Sequence, residues 1–148
     1  MHIVCRKARP EDIPLLNPLL AQLSGSLAHP KKMAETMQKI NRNPDAILLV
    51  AEDADTGALC GSLFGLSFED ICGTCQPILM IENVVTDVRH RRHRRLGVGR
   101  MMFKWIENWG RERNCHYCIL VSGMQRVEAH RFYDAIGYNE VKGFKKYL

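Results

Sequence analysis

No apolar run in this 148-residue chain is long enough to cross a membrane. The longest, Ala46-Ile47-Leu48-Leu49-Val50-Ala51, is far short of the ~20 residues that a helical span needs. The opening residues, MHIVCRKARP, lack the extended apolar stretch of a secretory signal, so a cytoplasmic location is expected. There is no internal repeat, low-complexity tract or Gly/Ser/Pro-rich linker, which leaves a single domain over residues 1–148. Both common nucleotide signatures, a GK[ST] phosphate loop and GxGxxG, are missing. Net charge is also absent from most of the chain. The total is 21 Lys and Arg against 16 Asp and Glu, but five of those arginines crowd into the RHRRHRR of residues 89–95, and the remainder balances. The basicity is therefore one local cluster. Without interleaved aromatics it argues against a nucleic-acid-binding module, which stands only as the weaker alternative.

Cysteine is present in number, at positions 5, 60, 72, 75, 115 and 118. Without a secretory signal, these read as reduced thiols and not as a disulfide framework. Cys72/Cys75 and Cys115/Cys118 have the CxxC spacing of zinc thiolates. The second pair, however, leads straight into Ile119-Leu120-Val121, and an extended backbone would send residues 115 and 118 to opposite faces. No metal site is expected.

The hydrophobic pattern predicts the elements. His2–Lys7 reads as a strand, followed by a helix from Pro10 with Ile13, Leu16, Leu20 and Leu23 at helical intervals, and a second, weaker helix over Pro30–Asn43. Ala46–Glu52 and Leu59–Phe68 form a hairpin, and Pro77–Val88 a long strand. Gly99–Arg113 is strongly amphipathic through Met102, Trp105, Ile106 and Trp109. Tyr117–Ser122 reads as a strand, Val127–Ile136 as a helix stopped at Gly137, and Tyr138–Leu148 as a last strand. The order is β-α-α-β-β-β-α-β-α-β: an α/β mixed sheet of about six to seven strands, flanked by four helices, with a right-handed crossover in its later part.

Between the long strand and the best helix lies Arg94-x-x-Gly97-x-Gly99. A strand end, closely spaced glycines and a helix start suit an anion, because free N–H groups and the positive end of the helix dipole converge there.

With that loop in place, IENVVTD, RRLGVGRMM, ILVSG and EAHRFYDAIGY together resemble the GNAT superfamily of N-acetyltransferases over essentially the whole chain. The resemblance implies the GNAT fold and acetyl-CoA as co-substrate. It further implies transfer of an acetyl group to a primary amine by direct attack in a ternary complex. It assigns the pyrophosphate to Arg94, Arg95, Gly97, Val98, Gly99 and Arg100, and the pantetheine arm to the main chain of Val84 and Val85. Two departures stand out. The loop from Thr86 to Arg94 is about three residues longer than the family pattern, so Arg91 or Arg92 competes for the role given to Arg94. Arg126 stands where many members carry Asn, which points to the small-molecule branch (aminoalkylphosphonate, aminoglycoside or polyamine acceptors), with a protein or peptide acceptor as the alternative. Homodimers are a habit of the family.

The chemistry asks for a base, because neutralising a lysine-like ammonium at pH 7 costs on the order of 4–5 kcal/mol. Glu82, a charge within the apolar run Ile78–Val85, is the candidate, with Glu69 and Asp70 as the fallback. The departing thiolate needs modest help from an acid, which the family motif assigns to Tyr133. His29 and Lys31 are candidates for the acceptor pocket.

Overall fold

The structure is a computed structural model, and it describes residues 1–89 and 96–148. Strands β1 (Ile3–Lys7), β2 (Ala46–Asp53), β3 (Ala58–Phe68), β4 (Ile78–Thr86) and β5 (Cys118–Leu120) lie in that spatial order in one sheet. The first four are antiparallel to their neighbours, and β5 joins β4 in parallel. Helices α1 (Ile13–Ser24) and α2 (Pro30–Arg42) precede β2. Helix α3 (Val98–Glu112) bridges β4 to β5, and α4 (Val127–Ala135) follows β5.

The two faces of the sheet are sealed by different helices. On one, Ile47, Leu49 and Ala51 of β2 meet Val98, Met102, Phe103, Ile106 and Trp109 of α3. On the other, Leu48 and Val50 meet Leu16 and Leu19 of α1 and Met37 of α2. A strand covered on both sides needs apolar residues at successive positions, which explains the unbroken AILLVA of β2.

The α/β class, the mixed sheet and the four helices agree with the sequence pattern, and the strand count is corrected. Among the described residues there are five strands, and Tyr138–Leu148 contributes none. That tail has no face to bury: Val141, Phe144, Tyr147 and Leu148 are all exposed, and three lysines and a glycine separate them. Without a buried row, extended backbone has nothing to fix its register.

Strand β4 carries the feature that shapes the site. Ser62 faces Val85 and Phe64 faces Glu82, so Asn83 and Val84 together oppose Leu63 alone. This bulge puts Asn83 at φ +53°, a left-handed conformation that asparagine tolerates better than most residues. Its effect is to reverse the alternation. Ile81 and Val84 pack on the α3 side, whereas Val85 packs on the α1/α2 side.

Candidate active site

The β4–β5 ladder is only three residues long. It pairs Leu79, Met80 and Ile81 with Cys118, Ile119 and Leu120, and then stops. Strand β4 runs on to Thr86, so the main chain from Glu82 to Thr86 has no strand partner on its β5 side among the described residues. An edge of this kind accepts an extended ligand as an added strand would be accepted.

Helix α3 starts beyond that edge. Gly97 is its N-cap at φ +70°, and no side chain caps it among the described residues. The first intrahelical bond runs from the Met101 N–H to the Gly97 carbonyl (3.0 Å), which leaves the N–H groups of the first turn directed outward. That turn carries no acid, so the positive end of a 15-residue helix is unopposed from within it. Gly97 is required for its backbone: a Cβ there would meet nothing within 4 Å, but φ +70° is the left-handed region. The case of Gly99 differs, because its missing Cβ is the space taken by the Phe132 ring, 3.0 Å from where that atom would stand. The Val98 side chain is buried in the core, so its main chain is what it can offer a ligand, while Arg100 is exposed. Arg94 and Arg95 lie outside the described residues, as do His90, Arg91, Arg92 and His93.

Arg89 is accounted for. Its Nε donates to Asp87 Oδ1 at 2.9 Å and its Nη2 to Asp87 Oδ2 at 3.3 Å, which makes it the partner of a buried carboxylate. Asp87 also accepts from Gln22 Nε2 (2.9 Å), and the Val88 N–H donates to Gln22 Oε1 (3.0 Å). These bonds tie the end of β4 to helix α1. An acid directly after an apolar strand was a visible signal for Asp87. Nothing local marks Gln22, which lies 65 residues away.

Tyr133 lies half-buried on α4, within an aromatic group. Its ring centroid is 5.7 Å from Phe103, 5.5 Å from Phe132 and 6.2 Å from Tyr138. Burial pushes its phenol above the ordinary tyrosine value, and the charge of Arg126 opposes that in part. The phenol therefore holds its proton at neutral pH, as an acid must. Val84, Val98, Phe132 and Tyr133 belong to one apolar cluster, so the structure unites the two motifs around the end of β4. Glu82 is exposed and shares the sheet face of its cross-strand neighbour Phe64, the face that α1 and α2 cover.

The fallback acids are placed elsewhere. Glu69 and Asp70 follow β3, whose end pairs with the start of β4, and Asp70 accepts the N–H of Cys72 (3.1 Å). They stand by the start of β4, next to the C-terminal end of α3, whereas the N-terminus of α3 lies past the other end of β4. His29 and Lys31 are exposed at the start of α2. The connection before them is held by Asn17, whose amide donates to the Ala28 carbonyl (2.8 Å) and accepts the Ala28 N–H (2.9 Å). His130 of α4 similarly contacts the Gly123 carbonyl at 2.8 Å, fixing the loop after β5. Neither contact was legible in the sequence, because both depend on the packed positions of the loops.

A depression of about 420 Å³, lined in part by Lys7, Asn41, Trp109 and Arg113, contains none of the candidate residues. Among the described residues no group of three or more His, Cys, Asp or Glu could hold a metal, and no helix is long and apolar enough to cross a membrane.

The acetyltransferase (GNAT) family model matches residues 17–138, and the chain belongs to that family. It is an N-acetyltransferase, and acetyl-CoA is the family's acetyl donor. An uncharacterized N-acetyltransferase of Bacillus subtilis, YhdJ, is 26% identical over 122 residues, 82% of this chain and 80% of that protein. Among solved structures, a putative acetyltransferase from Agrobacterium tumefaciens superposes with a TM-score of 0.86 at 24% identity, covering 98% of this chain and 99% of that one. Glucosamine-6-phosphate N-acetyltransferase from Arabidopsis thaliana gives a TM-score of 0.85 at 22% identity, covering 100% and 99%. At these identities the two structures speak for the fold.

Proposed function

We propose that this chain transfers the acetyl group of acetyl-CoA to a small primary amine in a ternary complex. The observation that carries the reading is the unpaired edge of β4 beside the bare start of α3: a slot for an extended arm, ending at a site for its phosphates. The residues fit the donor. The N–H groups of the α3 first turn, with Arg100 beside them, take the pyrophosphate, and the main chain of Val84 and Val85 takes the pantetheine arm. Arg94 and Arg95 are proposed to join them.

Bound acetyl-CoA supplies an activated thioester. The chain's own residues then manage protons. Glu82 removes one from the acceptor ammonium, directly or through a water, leaving a neutral nucleophile. The splayed backbone of β4 offers an N–H to the oxygen where negative charge develops. Tyr133 gives its proton to the departing sulfur, and the second proton that the acylated nitrogen sheds returns through water to the phenolate. Glu82 and Tyr133 lie on opposite sides of β4, which suits an acceptor and a leaving group that must depart in different directions.

A small acceptor is supported by Arg126 at the N-cap of α4. The test has two parts. Acetyl-CoA at 100 times its Kd should add about 2.7 kcal/mol of stability. A panel of primary amines, from aminoalkylphosphonates to aminoglycosides and polyamines, should then release CoA thiol in its presence. Thiol release with peptides and with no free amine would overturn the small-molecule reading.

A further inference from the structure

Six thiols are present, and they fall into two kinds. Cys5, Cys115 and Cys118 are half-buried, and Cys60 is buried. Burial pushes the thiols of Cys5 and Cys118 up, and that of Cys60 up to about 11, which suppresses their reactive thiolate forms. Cys72 and Cys75 are both exposed, in the connection between β3 and β4. They touch none of the residues assigned to acetyl transfer.

The turn that carries them is closed and held at both ends. The Cys75 N–H donates to the Cys72 carbonyl at 3.2 Å, an i to i+3 bond. Such a turn keeps its end Cα atoms within about 7 Å, which overlaps the roughly 4.4–6.8 Å range that a disulfide requires. Gly73 and Cys75 take left-handed backbone at φ +61° and +54°, and this curls the chain tightly. Before the turn, Asp70 Oδ1 holds the Cys72 N–H. After it, the Gln76 amide donates to the Asn114 carbonyl (3.2 Å), and the rigid Pro77 follows.

The Cys75 sulfur, on an exposed residue, is directed back over the turn. Its thiol donates to the Ile71 carbonyl at 3.4 Å and approaches the Gly73 carbonyl at 3.9 Å. Those carbonyls belong to the two residues that flank Cys72, so the sulfur of Cys75 sits across the backbone of its counterpart. Adjacency, exposure and a pre-closed loop are the conditions for cyclisation to outrun any second intermolecular reaction.

From this geometry we propose that Cys72 and Cys75 form a reversible dithiol–disulfide site that reacts with small soluble disulfides. The thiolate of one cysteine attacks a sulfur of the reagent disulfide, breaks its S–S bond and releases one reagent thiolate. The thiolate of the second cysteine attacks the resulting mixed disulfide, forms the Cys72–Cys75 bond and expels the other reagent thiolate. The protein loses two protons and two electrons, and one reagent disulfide becomes two thiols. The closed form locks the β3–β4 connection while leaving the β4–β5 opening untouched.

The test is oxidation of the intact native protein with glutathione disulfide, followed by intact mass, thiol count and peptide mapping. Accessible thiols should fall by two, the mass should fall by two hydrogens, and one peptide should carry a bridge from Cys72 to Cys75 that dithiothreitol reverses. Cys72→Ser and Cys75→Ser should each trap a stable glutathionyl adduct that the native protein does not accumulate. Accumulated adducts on the native protein, losses mapped to the other four cysteines, or no reaction would each overturn the proposal.

Discussion

The Phe132 ring fills the space that a side chain on Gly99 would occupy, with its Cζ 3.0 Å from the position of the absent Cβ. Gly99 belongs to the glycine motif that opens α3, and Phe132 to the aromatic pair of α4. A single contact thus links the proposed phosphate-binding start of one helix to the helix that presents Tyr133. Gly99→Val should destabilise the protein by about 1–3 kcal/mol through overpacking. In a double-mutant cycle with Phe132→Leu, the two changes should couple by about 1 kcal/mol, read from urea midpoints. Additive effects would show that the ring yields freely.

The latch between Gln22 and Asp87 makes a second prediction. Gln22→Leu removes a donor to a buried carboxylate and the acceptor for the Val88 N–H. A loss of about 1–3 kcal/mol is expected, since a buried acceptor is left short of a partner. Because the latch holds the end of β4, KM for acetyl-CoA should rise while kcat at saturation changes little. A fall in kcat alone would separate the latch from donor binding.

Stability in acid should depend on Asp12. The two bonds from Arg6, each 2.8 Å, hold its carboxyl below the usual carboxylate value. A lowered folded-state value means that the stabilisation is present above the unfolded pKa and is lost as pH falls through the folded one. The urea midpoint should therefore drop below about pH 4. Asp12→Asn should lower the midpoint at pH 7 and flatten this acid slope. An unchanged slope would place the acid sensitivity elsewhere.

Glu82 is predicted to act as a base. Glu82→Gln should lower kcat by on the order of 10²-fold with KM for acetyl-CoA preserved. An unchanged kcat would remove Glu82 from that role.

How much of this was legible in the sequence follows from what each feature depends on. Helix α3 declared itself through Met102, Ile106 and Trp109, since a single buried face imposes the 3.6-residue period. Tyr138–Leu148 misled because its apolar residues Tyr138, Val141, Phe144 and Tyr147 recur every third position, which gives a strand no single row to bury, and Phe144 and Tyr147 find no cover. The motif at Gly97 and Gly99 was readable as a place, but the reasons for its two glycines were not. One serves a left-handed turn and the other makes room for an aromatic ring 33 positions on. Part of the arginine cluster's charge is explained by a contact that no local pattern encodes, the pairing of Arg89 with the buried Asp87.

The most direct test of the account is steady-state kinetics of Tyr133→Phe with acetyl-CoA and an active amine. Loss of the proton donor should reduce kcat by on the order of 10²-fold or more and leave KM for acetyl-CoA within about twofold, because the ring and its packing on Phe103 remain. An unchanged kcat, or a change confined to KM, would contradict Tyr133 as the acid and with it the placement of the leaving thiol beside α4.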